Sequence, residues 1–130
     1  MIIDTSALIA IALGEPERRL FGRAIMLADH RRLSAASAVE FVAVYAGRRR
    51  EEDPLSVLDK LTRALRIETA LVDDAQWRAA ADALVRFGKG RHPARLNLGD
   101  SFAYALAKVT GEPLLYKGDD FALTDIASAL

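Results

Sequence analysis

Four acidic positions in this chain have the type and placement to do chemistry. Asp4 follows the apolar run Met1-Ile2-Ile3. Glu40 and Asp100 each stand just ahead of an apolar helical stretch, and Asp119-Asp120 follows Leu114-Leu115-Tyr116. All lie at element ends. In a parallel α/β sheet, the ends of the strands and the starts of the following helices share one edge, where ligands bind. Carboxylates gathered there repel one another and raise each other's pKa values. A hard divalent cation relieves that repulsion, and oxygen-only ligation suits Mg²⁺ or Mn²⁺. Such a cation lowers the pKa of bound water and neutralises charge on a phosphodiester oxygen. The chemistry implied is metal-assisted phosphodiester hydrolysis.

The elements that must position these acids read as short buried strands alternating with helices. Met1–Ile3 has no polar alternation and reads as a buried strand. Ser6 is a candidate N-cap for a helix over Ala7–Leu13, with Gly14 just past its end. Pro16 opens a helix whose face carries Leu20, Phe21, Ala24, Ile25 and Leu27. Leu33–Ala36 is a short second strand, followed by a helix opened by Ser37. Asp53-Pro54 caps and starts another, with Leu55, Leu58, Leu61 and Leu65 at helical spacing. Ile67–Val72 is a third strand, and Asp73 or Asp74 caps a helix through Trp77, Ala81, Leu84 and Phe87, with Trp77 in the core. Gly88 to Pro93 is a loop by composition. Leu96–Val109 is a helix burying Leu98, Phe102, Leu106 and Val109, and Leu114–Tyr116 is the last strand. This alternation predicts a parallel sheet covered on both faces.

Composition bounds the answer. A chain of 130 residues with 52% hydrophobic residues suits one domain with a real core. Lys plus Arg and Asp plus Glu balance at 18 each, so bulk charge names no partner, and a nucleic-acid surface must come from local clustering. The absence of Cys excludes disulfides, thiolate zinc sites and a cysteine nucleophile. The N-terminus has no basic region ahead of its apolar residues, and no apolar run is long enough to cross a membrane, so the cytoplasm is the expected compartment.

Each acid also has a structural reading. Asp4 and Asp100 can cap helices, Asp119-Asp120 can be a turn beside Gly118, and Ser37 with Glu40 matches the capping box S-x-x-E. Capping alone does not require acids distributed one per strand end. Thr5 and Ser6 can bond a phosphate or cap the helix, and Asn97 can support Asp100 or cap locally. Arg48-Arg49-Arg50 reads as a solvated face. Lys89, Arg91, His92 and Arg95 form a basic loop ahead of Asp100, suited to a nucleic-acid backbone or to plain solvent exposure.

Four stretches in series carry a family resemblance: I-I-D-T-S-A-L at the N-terminus, S-A-A-S-A-V-E-F at 34–41, L-N-L-G-D-S-F-A-Y-A-L-A-K at 96–108, and L-L-Y-K-G-D-D-F from 114. Together they resemble a PIN domain, and more closely the VapC toxins of bacterial VapBC toxin–antitoxin pairs. The resemblance implies one PIN domain over 1–130, a three-layer α/β/α fold with a mostly parallel sheet of four to five strands. It implies an endoribonuclease dependent on Mg²⁺ or Mn²⁺. Asp4, Glu40 and Asp100 match the family's first three acids, and the fourth falls in the Gly118–Phe121 turn, at Asp120 with Asp119 as the alternative. It also implies a VapB-type antitoxin, an RNA substrate, a toxin homodimer and no membrane partner. Two other classes compete. One is a HAD-type phosphatase with Asp4 as nucleophile, against which Ser6 stands where that family has a second Asp. The other is a non-catalytic PIN-like binding module.

Overall fold

The computed structural model describes residues 1–130. Its sheet has four strands, β1 (Ile2–Ile3), β2 (Arg32–Ser34), β3 (Glu68–Ala70) and β4 (Leu114–Leu115). They are ordered β3-β2-β1-β4, and every pairing is parallel. Helices α1 (Thr5–Ala12) and α2 (Arg18–Leu27) link β1 to β2, and α3 (Ala35–Arg48) and α4 (Pro54–Leu65) link β2 to β3. Helices α5 (Asp74–Phe87) and α6 (Leu98–Thr110) carry the chain back across the sheet to β4.

The two-residue period of a strand divides the core. Ile3, Leu33 and Leu115 point into a cluster with Leu8, Phe21, Ile25, Phe41 and Leu58 from α1 to α4. Ile2 and Leu114 point the other way, against Ala83 and Phe87 of α5 and Ala103, Tyr104 and Leu106 of α6. β1 and β4 are buried on both faces, which is why they lack polar alternation, whereas the edge strand β3 is largely exposed and polar. The result is the expected three-layer α/β/α arrangement, at the lower of the two strand counts and with no antiparallel member.

The chain leaves β1 on the β2 side and returns on its other side at β4, so strand order reverses at the C-terminal end of β1. That reversal opens a crevice at the strand ends. Asp4 is fixed there, its backbone N–H donating to the Leu115 carbonyl at 2.9 Å.

Several expectations shift by a turn. The cap of α1 is Asp4 rather than Ser6: Asp4 is extended and its carboxylate accepts from the Ser6 N–H, so the helix begins at Thr5. Pro16 precedes the helical residues, since α2 begins at Arg18 after Glu17, whose side chain makes no capping bond. The second strand ends at Ser34, which caps α3 through the Ala36 N–H. Ser37 therefore lies inside α3, and the capping box it suggested with Glu40 does not form. Asp53 and Asp73 cap α4 and α5 as expected. On α6 the buried face is Ser101 with Ala103 to Ala107, leaving Leu98 and Val109 exposed. Trp77 is outside the core, its indole N–H donating to Asp74 and the Arg78 guanidinium lying 4.4 Å from the ring centroid.

Candidate active site

A cleft of about 190 Å³ opens at the reversal point, lined by Asp4, Thr5, Ser6, Ile9, Glu40, Val44, Arg48, Asn97 and Asp100. Three of the four predicted acid positions therefore share one cleft, brought together from β1, α3 and α6.

Asp4 is 3% exposed. Its Oδ2 accepts from the Ser6 N–H at 2.9 Å and from the Ser6 hydroxyl at 2.5 Å. The Ser6 hydroxyl oxygen in turn accepts from the Lys117 N–H at 2.9 Å, tying the acid to the loop after β4. Asp4 Oδ1 is buried with no hydrogen-bond partner. Burial pushes this carboxyl from 3.8 to about 6; the Ser6 bonds pull against that, and the charge of Glu40 adds to it.

Glu40 sits in the second turn of α3, where the Thr5 hydroxyl donates to its Oε2 at 2.6 Å. Its carboxylate lies against the backbone of Gly99, and a Cβ at position 99 would overlap it. A side chain at 99 would therefore displace the end of the Glu40 side chain.

Asp100 occupies the third position of α6 in a reciprocal capping box with Asn97. The Asn97 side chain accepts from the Asp100 N–H at 3.0 Å, and Asp100 Oδ2 accepts from the Asn97 N–H at 2.7 Å. Asn97 is thus the local cap and Asp100 its partner rather than the cap itself. Burial is the main reason this carboxyl rises from 3.8 to about 7; the Asn97 bond lowers it, and the charges of Asp4, Glu40 and Asp120 raise it further. Of the two acids in the turn after β4, Asp120 is the one whose charge acts on Asp100. Asp120 opens the short 3₁₀ turn Phe121–Leu123 and stands outside the cleft lining.

The acids do not close into a trio at metal-ligand distance. Thr5 and Asn97 hold Glu40 and Asp100 in hydrogen bonds instead. The donor set nonetheless fits a hard divalent cation. It is all oxygen, two of its carboxyls are held above their ordinary range by burial and mutual charge, and one buried oxygen of Asp4 lacks any partner. Asp4, Glu40 and Asp100 are the groups placed to hold such an ion.

Sequence reasoning missed two residues of this site. Gly99 carried a signal, a glycine beside an acid early in a helix, that only the facing Glu40 explains. Arg48 read as one of three solvated arginines, yet it is the one whose register on α3 brings it to the cleft.

Comparison with known proteins places the chain in a family. The PIN domain family matches residues 1–127. Ribonuclease VapC42 of Mycobacterium tuberculosis is 46% identical over 131 residues, covering 99% of this chain and 98% of that protein. Ribonuclease VapC of Mycolicibacterium smegmatis is 45% identical, covering 98% of each. Among solved structures, Mycobacterium tuberculosis VapC20, described as a sarcin-ricin loop cleaving toxin, superposes with a TM-score of 0.75 at 16% identity over 97% of this chain and 95% of that one. A toxin–antitoxin complex from Klebsiella pneumoniae gives 0.70 at 17% identity over 99% of this chain and 97% of that one. The chain belongs to the PIN domain family. Within it, the relatives that match along the whole chain are VapC ribonucleases.

Proposed function

We propose that this protein, one PIN domain over its 130 residues, is the toxin of a type II toxin–antitoxin pair and a divalent-metal-dependent endoribonuclease. The observation that carries the reading is the convergence of Asp4, Glu40 and Asp100 from three separate elements on one cleft at the strand-order reversal. The names of the whole-length relatives support the ribonuclease class, and family membership favours it over the HAD-type phosphatase.

In this reading Asp4 and Asp100 would hold Mg²⁺ or Mn²⁺ directly, and Glu40 and Asp120 would complete the acidic pocket. When bound, the cation supplies charge neutralisation at the scissile phosphate and acidifies water. Ser6 fixes Asp4 through two bonds to Oδ2, so the unpartnered Oδ1 is the oxygen that would hold the ion. Thr5 holds Glu40 by Oε2, which leaves Oε1 to take a proton from the attacking water. Asn97 orients Asp100 from the helix terminus.

The similarity to a toxin–antitoxin complex supports a VapB-type antitoxin as partner, and a toxin homodimer is what the resemblance to VapC toxins implies. No helix is long and apolar enough to cross a membrane, in keeping with a cytoplasmic toxin. Incubating total RNA with the purified, antitoxin-free protein tests the proposal. Discrete fragments that require Mg²⁺ or Mn²⁺ and disappear in EDTA are expected. Intact RNA under all three conditions would overturn it in favour of a binding module.

A further inference from the structure

We infer that Arg48 is the substrate-binding residue that grips an RNA phosphate next to the scissile one. The inference rests on the ribonuclease reading above. Glu40, Val44 and Arg48 recur every four residues along α3, so they form one stripe, and all three line the cleft. With a rise of about 1.5 Å per residue, the Arg48 backbone stands about 12 Å along the helix from Glu40, at the outer end of the cleft. Arg48 is the one cationic side chain in a lining that also holds three carboxylates. A polyanion entering that cleft meets repulsion from the acids, and Arg48 is placed to offset it.

The guanidinium is loosely held. It is 55% exposed, and its single ion pair is with Glu15 Oε1 at 3.6 Å, too long for a hydrogen bond. Glu15 is already engaged, because its Oε2 accepts from the Lys117 ammonium at 2.7 Å. Lys117 is also bonded to Glu17 at 2.9 Å, so it is doubly neutralised while Arg48 is not. A phosphate offers Arg48 a two-pronged, charge-assisted acceptor in exchange for a distant carboxylate that keeps its other partner.

The test is fluorescence-anisotropy binding of a labelled, mixed-sequence, single-stranded oligoribonucleotide across a salt series, in EDTA and on an Asp100→Asn background that prevents cleavage. Arg48→Ala is expected to weaken binding about tenfold and to reduce the slope of log K against log salt by about 0.7, one phosphate contact on a single strand. Arg48→Lys should restore the slope. Arg78→Ala, which removes an exposed pair with Asp74 on α5, should change neither. With Asp100 intact and Mn²⁺ present, the Arg48→Ala loss should fall on KM rather than kcat. An unchanged slope in Arg48→Ala, or a loss confined to kcat, would overturn the assignment while leaving the ribonuclease reading standing. Failure of the parent protein both to bind this RNA and to cleave total RNA would overturn both.

Discussion

Replacing Asp4 with Asn should make the metal-free protein more stable while destroying its activity. Asp4 is buried, and one of its oxygens has no partner. Raising its carboxyl from 3.8 to about 6 corresponds to about 3 kcal/mol of destabilisation at neutral pH, because the native state must hold a desolvated charge that the unfolded chain solvates. Asn removes that charge. It still accepts from Ser6 and is as good a cap as Asp for α1. Its amide N–H₂ then faces the position of the unpartnered oxygen, and an unsatisfied donor there returns about 1 kcal/mol. The net gain is about 2 kcal/mol. For a chain of 130 residues that raises Tm by about 5–8 °C. The sign of the pH dependence follows from the raised pKa. Native Asp4 binds its proton more tightly than unfolded Asp4, so parent stability falls as pH climbs from about 4 to about 6 and stays low above that. Asp100, raised to about 7, extends the decline in the same direction. Thermal unfolding in EDTA at pH 4 and pH 7.5 reads this directly. Asp4→Asn should gain at pH 7.5 and lose most of that advantage at pH 4. A lower Tm than the parent at pH 7.5, or a gain independent of pH, would refute the account of Asp4 as a destabilised ligand.

Four further outcomes follow from neighbouring contacts. Mn²⁺ should raise the parent Tm at pH 7.5 in proportion to RT ln(1 + [Mn²⁺]/Kd) and leave Asp4→Asn unmoved, as differential scanning fluorimetry would show. Gly99→Ala should reduce RNA cleavage at least tenfold with a small change in Tm, because its Cβ displaces the end of the flexible Glu40 side chain rather than backbone; steady-state kinetics beside thermal melts check it. Thr5→Val removes the donor to Glu40 without changing shape, and should lower kcat several-fold and stability by about 1 kcal/mol in urea titrations. Tyr104→Phe breaks the 2.7 Å bond to Asp125 that anchors the C-terminal segment to α6, and should lower stability by about 1 kcal/mol with cleavage retained. That Tyr104 bond is the leading reason Asp125 titrates at about 2 rather than 3.8, so its contribution is present above pH 4 and fades as pH falls through 2.

The fold was legible because two-sided burial leaves an unambiguous mark: Ile2-Ile3 and Leu114-Leu115 carry no polar alternation, and each is closed by an acid or turn residues. The acids at element ends were legible for the same reason. Less readable was which residue does the capping. Ser6 and Ser37 are good caps by type, but Asp4 and Ser34 preempt them by standing two and three positions earlier in extended backbone. That difference matters for chemistry, since it frees Glu40 from a capping box and delivers it to Thr5. Trp77, Leu98 and Val109 looked buried by periodicity, yet α6 packs through Ala103, Tyr104, Leu106 and Ala107, in one cluster with Ala83 and Phe87 of α5. Gly99 and Arg48 owe their roles to residues distant in sequence, Glu40 across the cleft and Glu15 beyond α1, and no local pattern announces such pairings.

Cleavage of total RNA by the purified, antitoxin-free protein in Mn²⁺, run beside Asp100→Asn and an EDTA control, tests the central claim most directly. Discrete fragments from the parent, absent in the variant and in EDTA, are predicted. Equal cleavage by Asp100→Asn, or fragments that persist in EDTA, would contradict the assignment of this cleft as a metal-dependent ribonuclease site.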